Sequence, residues 1–173
     1  MDSSRRTCRR RQMIGTALVA LLSMVASAAE TKSTYGQRIV AAVLMAEARG
    51  EGEIGMTAVA EVIRNRATQA SRSPFNIVLR KGQFSSLKHT TPEALHRKYS
   101  RMKEFPIALR IAKTCYNTPH ELPNLTRGAT FFDRAEHRPP RLVAMRPVTR
   151  IGNHRFYVPK THGAGDQVSR VGR

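Results

Sequence analysis

The sequence predicts an α+β fold, in which helices come first and a small antiparallel sheet follows. In the first half of the chain, apolar residues recur at the three- and four-residue spacing that is typical of helices. The C-terminal third changes to short runs of β-branched and aromatic residues around Gly152-Asn153, a two-residue hairpin signal. With 40% hydrophobic residues among 173, the chain is able to form the core of one domain.

Two neighbouring helices are predicted first. Gly36 to Ala48 forms the first, with Gly50 placed as the residue that follows its C-terminus. Ile54 to Ala70 forms the second, and the short link between them means that the two helices pack side by side. Their apolar stripes consist of Ile39, Val40, Val43 and Leu44 in the first helix, and Met56, Val59, Ala60 and Ile63 in the second.

The middle of the chain alternates short elements with loops. Residues 75–79 are apolar and fit either a short strand or a helical turn, and residues 80–86 resemble a loop. Thr91 is a helix N-cap before Pro92, and a further helix opens at Phe105-Pro106 and runs through Cys115. A loop at residues 117–124 follows, because it contains two prolines.

The strands are expected in the C-terminal third. Residues 129–132 form the first, and residues 142–145 form another after the Pro139-Pro140 break. Residues 148–151 and 154–158 flank the Gly152-Asn153 turn and form a hairpin. The remaining residues, 159–173, are basic and have little to bury, which predicts a flexible tail.

The charge and the N-terminus restrict the classes of partner. Thirty Lys and Arg against 12 Asp and Glu give a formal charge of +18, which favours polyanions: nucleic acid, anionic lipid or bacterial wall polymer. Residues 1–29 combine an Arg-rich start, an apolar run at 13–25 and small residues at 26–29, the pattern of a signal peptide. An uncleaved anchor is the alternative, but the run is short for a membrane span of ~20 residues. We therefore expect an exported protein, periplasmic or in the cell wall or outside the cell, whose working domain is 30–158. Its expected partners are anionic envelope polymers and not nucleic acid.

The two cysteines give no indication of a disulfide or a metal site. Cys8 lies in the predicted signal peptide, which leaves Cys115 without an intramolecular partner. Its Ala- and Ile-rich surroundings favour a small buried residue over a nucleophile that uses His120. No cofactor is expected.

Glu47 is the most informative residue, because it lies on the apolar face of the first predicted helix. It follows Val43 by four residues and Leu44 by three, and positions at these spacings share a helix face. A carboxyl group there loses hydration, which favours its protonated form. A protonated carboxyl near neutral pH is what the leaving oxygen needs when a glycosidic bond is cleaved. Pairing with Arg49, or pointing outwards at the helix end, is the structural alternative.

Five ordered segments resemble the SleB/CwlJ-type cell wall hydrolases. They are AEARGE at 46–51, GMTAVAEVIRNR at 55–66, GQFS at 82–85, GATFF at 128–132 and IGNHRFY at 151–157. The similarity extends over residues 39–157, and several motifs in the same order are far more specific than any one of them. The sequence departs from the family's pattern in having no Trp, and an Arg- and Pro-rich stretch lies where the family has one.

The resemblance implies a lysozyme-like helical core with a small C-terminal antiparallel sheet, and cleavage of the MurNAc–GlcNAc bond in peptidoglycan. It implies that Glu47 is the catalytic acid of a lytic transglycosylase, a reaction that needs one carboxyl group. Sugar and acetamide contacts are expected from Gln83, Phe84, Ser85, Phe131, Asn153, His154 and Tyr157. The protein is expected to act as a monomer.

Other functions stay open at this point. A hydrolase would need a second carboxylate, for which Asp133, Glu51 and Glu53 are candidates, although the two glutamates are expected to be solvated or to assist a helix N-terminus. A non-catalytic, basic envelope-binding module would keep the charge without Glu47 on an apolar face. A nucleic-acid-binding protein would need aromatic residues interleaved with basic ones. A metallopeptidase built on His120, Glu121, His137 or His154 is remote, because His-Glu-x-x-His is absent from the sequence.

Overall fold

Five α-helices precede three β-strands in the part of the chain that the structure describes, which confirms the predicted α+β class. The structure is a computed structural model, and it describes residues 33–137, 140–142 and 144–160, which belong to one compact unit. The helices are α1 Tyr35–Ala48, α2 Gly52–Ala70, α3 Pro74–Val78, α4 Pro92–Tyr99 and α5 Phe105–Asn117. The strands are β1 Phe131–Arg134, β2 Met145–Ile151 and β3 His154–Pro159.

Helix α1 lies at the centre of the core. It contacts α2, α3, α4 and α5, and every residue from Ile39 to Met45 is buried. A helix that is buried on all sides has no polar face, which explains the uninterrupted apolar run in this segment. Its start is fixed by a capping box, because Gln37 N–H donates to Thr34 Oγ1 at 3.2 Å and Thr34 N–H donates to Gln37 Oε1 at 2.9 Å.

Helix α1 ends at Ala48 as predicted, with Arg49 as its C-cap and Gly50 as the next residue, but Gly50 does not have the left-handed backbone of a terminating glycine. The chain continues from α1 into a 3₁₀ turn at Arg49–Glu51, and the glycine with a left-handed backbone is Gly52, at φ 68°. Helix α2 begins at this glycine. Both glycines fit a helix end by composition, and the 3₁₀ turn places the left-handed backbone at the second of them.

The ambiguous segment 75–79 is helical, because α3 has helix-start signals immediately before it. Ser73 Oγ accepts the Asn76 N–H at 3.2 Å, and Pro74 occupies the first helical position. The predicted N-cap at Thr91 is confirmed in the same way, since its hydroxyl accepts the Ala94 N–H at 3.2 Å.

The sheet is antiparallel in the order β1-β3-β2, so that the predicted hairpin β2–β3 carries β1 on its other side. The turn is at Gly152-Asn153, with Ile151 opposite His154. The predicted strand at 142–145 is wrong: residues 140–142 form a 3₁₀ turn, and β2 begins only at Met145. Pro140 has no N–H to give to a sheet, and its fixed φ suits the 3₁₀ turn. Pro147 is tolerated because β2 is an edge strand with an irregular register there.

One polar face of α2 attaches the C-terminal third to the helical core. Glu61 is fully buried, and its carboxylate accepts the N–H groups of Leu125 and Thr126 and the Thr126 hydroxyl, at 2.7–2.9 Å. Asn65 Nδ2 donates to the Ala129 carbonyl at 2.8 Å, and Arg66 Nε donates to the Thr130 carbonyl at 2.6 Å. These bonds set the path of the chain into β1.

Some predictions fall on residues outside the described part. The signal peptide at 1–29 and most of the tail at 159–173 are in this group. Among the described residues, no helix is long and apolar enough to span a membrane.

We expect Glu61→Gln to lower the free energy of unfolding by about 2 kcal/mol or more. The amide has the same size, but its NH₂ faces N–H or O–H donors in a buried site, so that buried donors lose their acceptor. Urea or thermal unfolding measures the change.

The control is Glu53→Gln at the start of the same helix. Glu53 is half-exposed and pairs with Arg110 at 2.8 Å, and such a surface pair contributes at most about 1 kcal/mol. Equal losses in the two variants would contradict the structural role of Glu61.

Candidate active site

Glu47 lies in the last turn of α1, half-buried, where the helix meets a loop and a cleft. Its Oε1 accepts the Ser86 backbone N–H at 3.1 Å, and the Ser85 hydroxyl is 3.5 Å from the same oxygen. Within the described residues Glu47 forms no ion pair. Arg49, the expected structural partner, instead places its guanidinium 5.9 Å from the centre of the Tyr99 ring. The carboxyl group is therefore held by neutral donors and keeps its second oxygen available.

The cleft beside Glu47 has a volume of about 960 Å³. Most of its lining comes from three parts of the chain: the end of α1, the segment 78–88, and β1 with the turn that follows. Arg66, Leu142 and His154 contribute the rest of the described lining. Six of the predicted site residues line it, namely Glu47, Gln83, Phe84, Ser85, Phe131 and His154. Asp133, a candidate second carboxylate, lines it too. A second cavity of about 280 Å³ shares Ala46 and Ser85 with the first, so open space continues past the Ser85 side of the site.

Aromatic side chains form one wall of the cleft. Phe132 lies at its centre, with ring centres 6.3 Å from Phe84, 5.3 Å from His154 and 5.8 Å from the buried Phe156. Phe132 both packs on the sheet and borders the cleft. The wall offers flat apolar surface next to Glu47, of the kind on which sugar rings pack.

Arg66 is a cleft residue that the sequence did not single out. Its guanidinium lies 5.5 Å from the centre of the Phe84 ring and 5.2 Å from that of Phe131. Its Nε also donates to the Thr130 carbonyl, so Arg66 links α2 to the 78–88 segment through Phe84 and to the start of β1 through Thr130 and Phe131. Arg66 belongs to the 55–66 motif, and that motif is the feature of the sequence that could have identified it.

Exposed basic residues also border the cleft and were missed. They are Arg80, Lys81, Lys88 and Arg134, and they stand on both the 78–88 segment and β1. Three of them lie in loops, where no periodicity shows which way a side chain points. Together with Arg66 they make five cationic side chains against two carboxylates in the lining, so that the cleft favours an anionic ligand.

Asp133 is held in a fixed orientation on β1. Its Oδ1 accepts the Arg134 N–H at 2.8 Å and lies 3.0 Å from His137 Nδ1, and only 15% of its side chain is exposed. Because of these contacts, the Asp133 carboxylate is ordered within the cleft and is not free in solvent.

Glu51 was expected to be solvated or to assist a helix N-terminus; it occupies the N-cap position of α2, without a side-chain cap hydrogen bond, and it is not solvated. Only 13% of its side chain is exposed, and its Oε1 lies 3.4 Å from His154 Nδ1. The side chain fills the space beside two glycines, since a Cβ added at Gly55 or Gly152 would overlap it. Glu51 is not among the described residues that line the cleft, whereas Glu53 is half-exposed and paired with Arg110.

Asn153 and Tyr157 are also absent from the described lining of the cleft. Tyr157 is 95% buried in β3, and its carbonyl accepts the Thr130 N–H at 3.1 Å. Asn153 is exposed at the hairpin turn, and its carbonyl accepts the Ala135 N–H at 2.8 Å. Both residues shape the sheet beside the site.

Other chemistries have little support among the described residues. No group of three His, Cys, Asp or Glu side chains is arranged to hold a metal ion there. Cys115 is buried, and burial raises the pKa of its thiol to about 12, which keeps it protonated at neutral pH.

Residues 50–157, more than half of the chain, match the family model described as Cell Wall Hydrolase. The chain belongs to the cell wall hydrolase family. Its members act on peptidoglycan, and this one is therefore an enzyme of cell wall degradation. The matched region of this cell wall hydrolase begins just after Glu47, so the match does not include the candidate acid. Among curated proteins, none matches the sequence significantly.

Two solved structures resemble this cell wall hydrolase in fold. The catalytic domain of Bacillus cereus SleB has a TM-score of 0.55 at 20% identity, and the match covers 74% of this chain and 94% of that one. The catalytic domain of the germination-specific lytic transglycosylase SleB from Bacillus anthracis has a TM-score of 0.54 at 20% identity, over 75% and 98%. At this identity the likeness establishes the fold, and the expected lysozyme-like core with a small sheet is confirmed.

We expect Gly152→Ala to destabilise this cell wall hydrolase more than Gly128→Ala. Both glycines have a left-handed backbone, at φ 54° and 77°, which costs an alanine about 1–2 kcal/mol. At Gly128 an added Cβ meets no atom within 4 Å, whereas at Gly152 it overlaps the Glu51 side chain. Thermal unfolding of the two variants isolates the overlap, and equal melting temperatures would contradict the packing of Glu51 in the turn.

Proposed function

We propose that this protein is a lytic transglycosylase that cleaves the MurNAc–GlcNAc bond of peptidoglycan, with Glu47 as its general acid and base. The observation that carries the proposal is the placement of Glu47. Its carboxyl group borders the cleft, beside an aromatic wall, and neutral donors hold it in the absence of an ion pair among the described residues. Neutral donors also hold the structural carboxylate of Glu61, but Glu61 is fully buried, whereas Glu47 borders open space.

The two oxygens of Glu47 have different surroundings, which suits proton transfer. Both hydrogen-bond contacts that the described residues make to Glu47, from Ser86 N–H and the Ser85 hydroxyl, are made to Oε1. Oε2 is therefore the oxygen that carries and delivers the proton. The backbone donor at Ser86 cannot rotate away, so the carboxyl plane stays fixed relative to the bound sugar.

In the proposed reaction Glu47 acts twice. Oε2–H protonates the oxygen that links MurNAc to GlcNAc, and the bond from that oxygen to the MurNAc C1 breaks. The resulting carboxylate takes the proton of the MurNAc 6-hydroxyl, whose oxygen bonds to C1. The products are a GlcNAc hydroxyl and a 1,6-anhydro-MurNAc end, no water is consumed, and Glu47 regains its proton. A single carboxyl group is sufficient for this sequence.

Substrate binding is assigned to the cleft lining. Gln83 and His154 supply polar groups, and the half-buried Phe131 and Phe132 supply surface for the sugar rings, with the buried Phe84 packed behind them. The basic side chains that border the cleft fit a strand bearing carboxylates, which muramyl peptides carry. Asn153 and Tyr157 are left out of the proposed contacts, because they do not border the described cleft.

Export follows from the proposed substrate, which lies outside the cytoplasm. We retain residues 1–29 as the proposed signal peptide, residues 30–158 as the catalytic domain and residues 159–173 as a basic tail. The protein acts in the periplasm or in the cell wall, where peptidoglycan is within reach.

A hydrolase is the second candidate, and Asp133 is the observation that favours it. Asp133 and Glu47 line the same cleft, and hydrolysis uses a pair of carboxyl groups across the scissile bond. Glu51 and Glu53 do not line it among the described residues, which leaves Asp133 as the partner. The reaction products distinguish the two routes.

We expect Glu47→Gln to reduce the digestion of purified peptidoglycan by about 10²–10⁴-fold while the melting temperature changes little. The amide oxygen can still accept the Ser86 N–H, so the loop keeps its anchor, but the amide cannot donate a proton at catalytic strength. Turbidity loss of sacculi measures the activity. Glu53→Gln is the matched control and should keep full activity, and an active Glu47→Gln variant would exclude Glu47 as the acid.

We expect the soluble products of the wild-type enzyme to end in 1,6-anhydro-MurNAc. Such an end is lighter by one water than a reducing end, so mass spectrometry of the released muropeptides identifies it. A muramidase digest of the same sacculi gives the reducing-end reference. Reducing ends alone would show hydrolysis and assign the second carboxylate to Asp133, which Asp133→Asn would then inactivate.

A further inference from the structure

Glu51 is a mostly buried carboxylate for which the proposed reaction has no use. Its side chain lies between the start of α2 and the β2–β3 turn, where neither Gly55 nor Gly152 leaves room for a Cβ. Its Oε1 is 3.4 Å from His154 Nδ1, and the side chains of the pair are 13% and 11% exposed. Two glycines and a histidine thus accommodate one carboxylate at the back of the cleft wall.

The contact determines which nitrogen of His154 holds a proton. An ionised carboxylate can only accept hydrogen bonds, so its approach to Nδ1 is favourable when Nδ1 carries a hydrogen and repulsive when Nδ1 presents a lone pair. Nε2 is then the polar atom of the ring that is left for other partners. His154 itself borders the cleft.

The ring of His154 is also part of the aromatic wall. It meets Phe132 edge to face, with ring centres 5.3 Å apart and planes at 86°. A rotation of the imidazole would therefore change both the hydrogen-bonding atom and the surface that Phe132 presents. Glu51 restricts that rotation from behind, without touching the cleft.

We propose that Glu51 is a positioning residue that acts through His154, and not a second catalytic carboxylate. It holds the imidazole with Nδ1–H directed at the carboxylate, which presents Nε2 to the hydroxyl or acetamide groups of the glycan. The effect on catalysis rests on the proposed function. The position of the proton on the His154 ring does not rest on the proposed function, and it can be measured without substrate.

The first experiment is ¹⁵N NMR of the His154 ring in the full domain, which shows which ring nitrogen bears the proton. In wild type we expect a protonated Nδ1, and we expect the same in Glu51→Gln, whose amide oxygen still accepts. In Glu51→Ala we expect the Nδ1 signal to move away from the position of a protonated nitrogen. A wild-type ring protonated at Nε2 alone would overturn the proposal, whatever the enzyme does to peptidoglycan.

The second experiment is a double-variant cycle on the digestion of soluble glycan strands. We expect Glu51→Ala to lower kcat/KM by about 10- to 100-fold, mainly by raising KM, because a misplaced ring weakens binding. Glu51→Gln should restore most of the loss. In a His154→Ala background, Glu51→Ala should have no further effect, since its route of action is gone.

Glu53→Ala is the control for charge near the start of α2 and should keep wild-type kcat/KM. Melting curves establish that each variant is folded at the assay temperature, and Glu51→Gln provides the comparison if Glu51→Ala is unstable. Losses that multiply in the double variant would show that Glu51 acts independently of His154 and would overturn the proposal. A failure of the proposed function has a different signature, namely full activity in Glu47→Gln.

Discussion

The hydrogen bonds made by the 61–66 segment of α2 are the constraint on which the site depends. Side chains of this stretch of helix make hydrogen bonds with backbone groups between Leu125 and Thr130, as acceptors of N–H groups or as donors to carbonyls. Arg64 also donates to the carbonyls of Pro119 and Leu122 at 3.2–3.3 Å. The segment 119–130 has little regular structure of its own, so its path is set by the helix. The strand β1 that follows carries Phe131 and Asp133 to the cleft as a consequence.

The cleft is thus assembled from two independent supports. Glu47 belongs to the most deeply buried helix, whose position is fixed by four neighbouring helices. The opposite wall belongs to a three-stranded sheet, which is joined to α2 by the packing of Phe156 with Ala58 and Val62 and by the polar bonds from α2. Arg66 of α2 lies against Phe84 of the 78–88 segment and Phe131 of β1, and it thereby connects the loop beside Glu47 to the sheet. Loss of these polar bonds should therefore disturb the cleft before it disturbs the helical core.

The sequence predicts the regular parts of this structure and misses the parts that tertiary contacts decide. The helical stripes, the Thr91 cap and the hairpin turn are local patterns, and each is found where it was expected. The 3₁₀ turn at 140–142 replaced a predicted strand, because the apolar run after Pro140 was too short to indicate its own conformation. In the site, helix periodicity predicted that Glu47 is withdrawn from water, and Glu47 is half-buried beside the cleft. Periodicity could not place the basic residues of the 78–88 loop. Nor could it show that Glu51 is buried, since that depends on contacts with Gly152 and His154, which are distant in sequence.

The break between α1 and α2 explains why two glutamates of one motif have different surroundings. In a continuous helix Glu51 would lie one turn beyond Glu47 on the same face, and the cleft would hold two adjacent carboxylates. Ala48 leaves the helical region at φ −141° and ψ 13°, and the 3₁₀ turn then directs Glu51 towards the hairpin. Glu47 is left without a neighbouring carboxylate from its own segment, while Glu51 reaches His154. A single acid at this end of the cleft is what the one-carboxyl reaction requires, so the same backbone break that separates the two side chains also favours that chemistry.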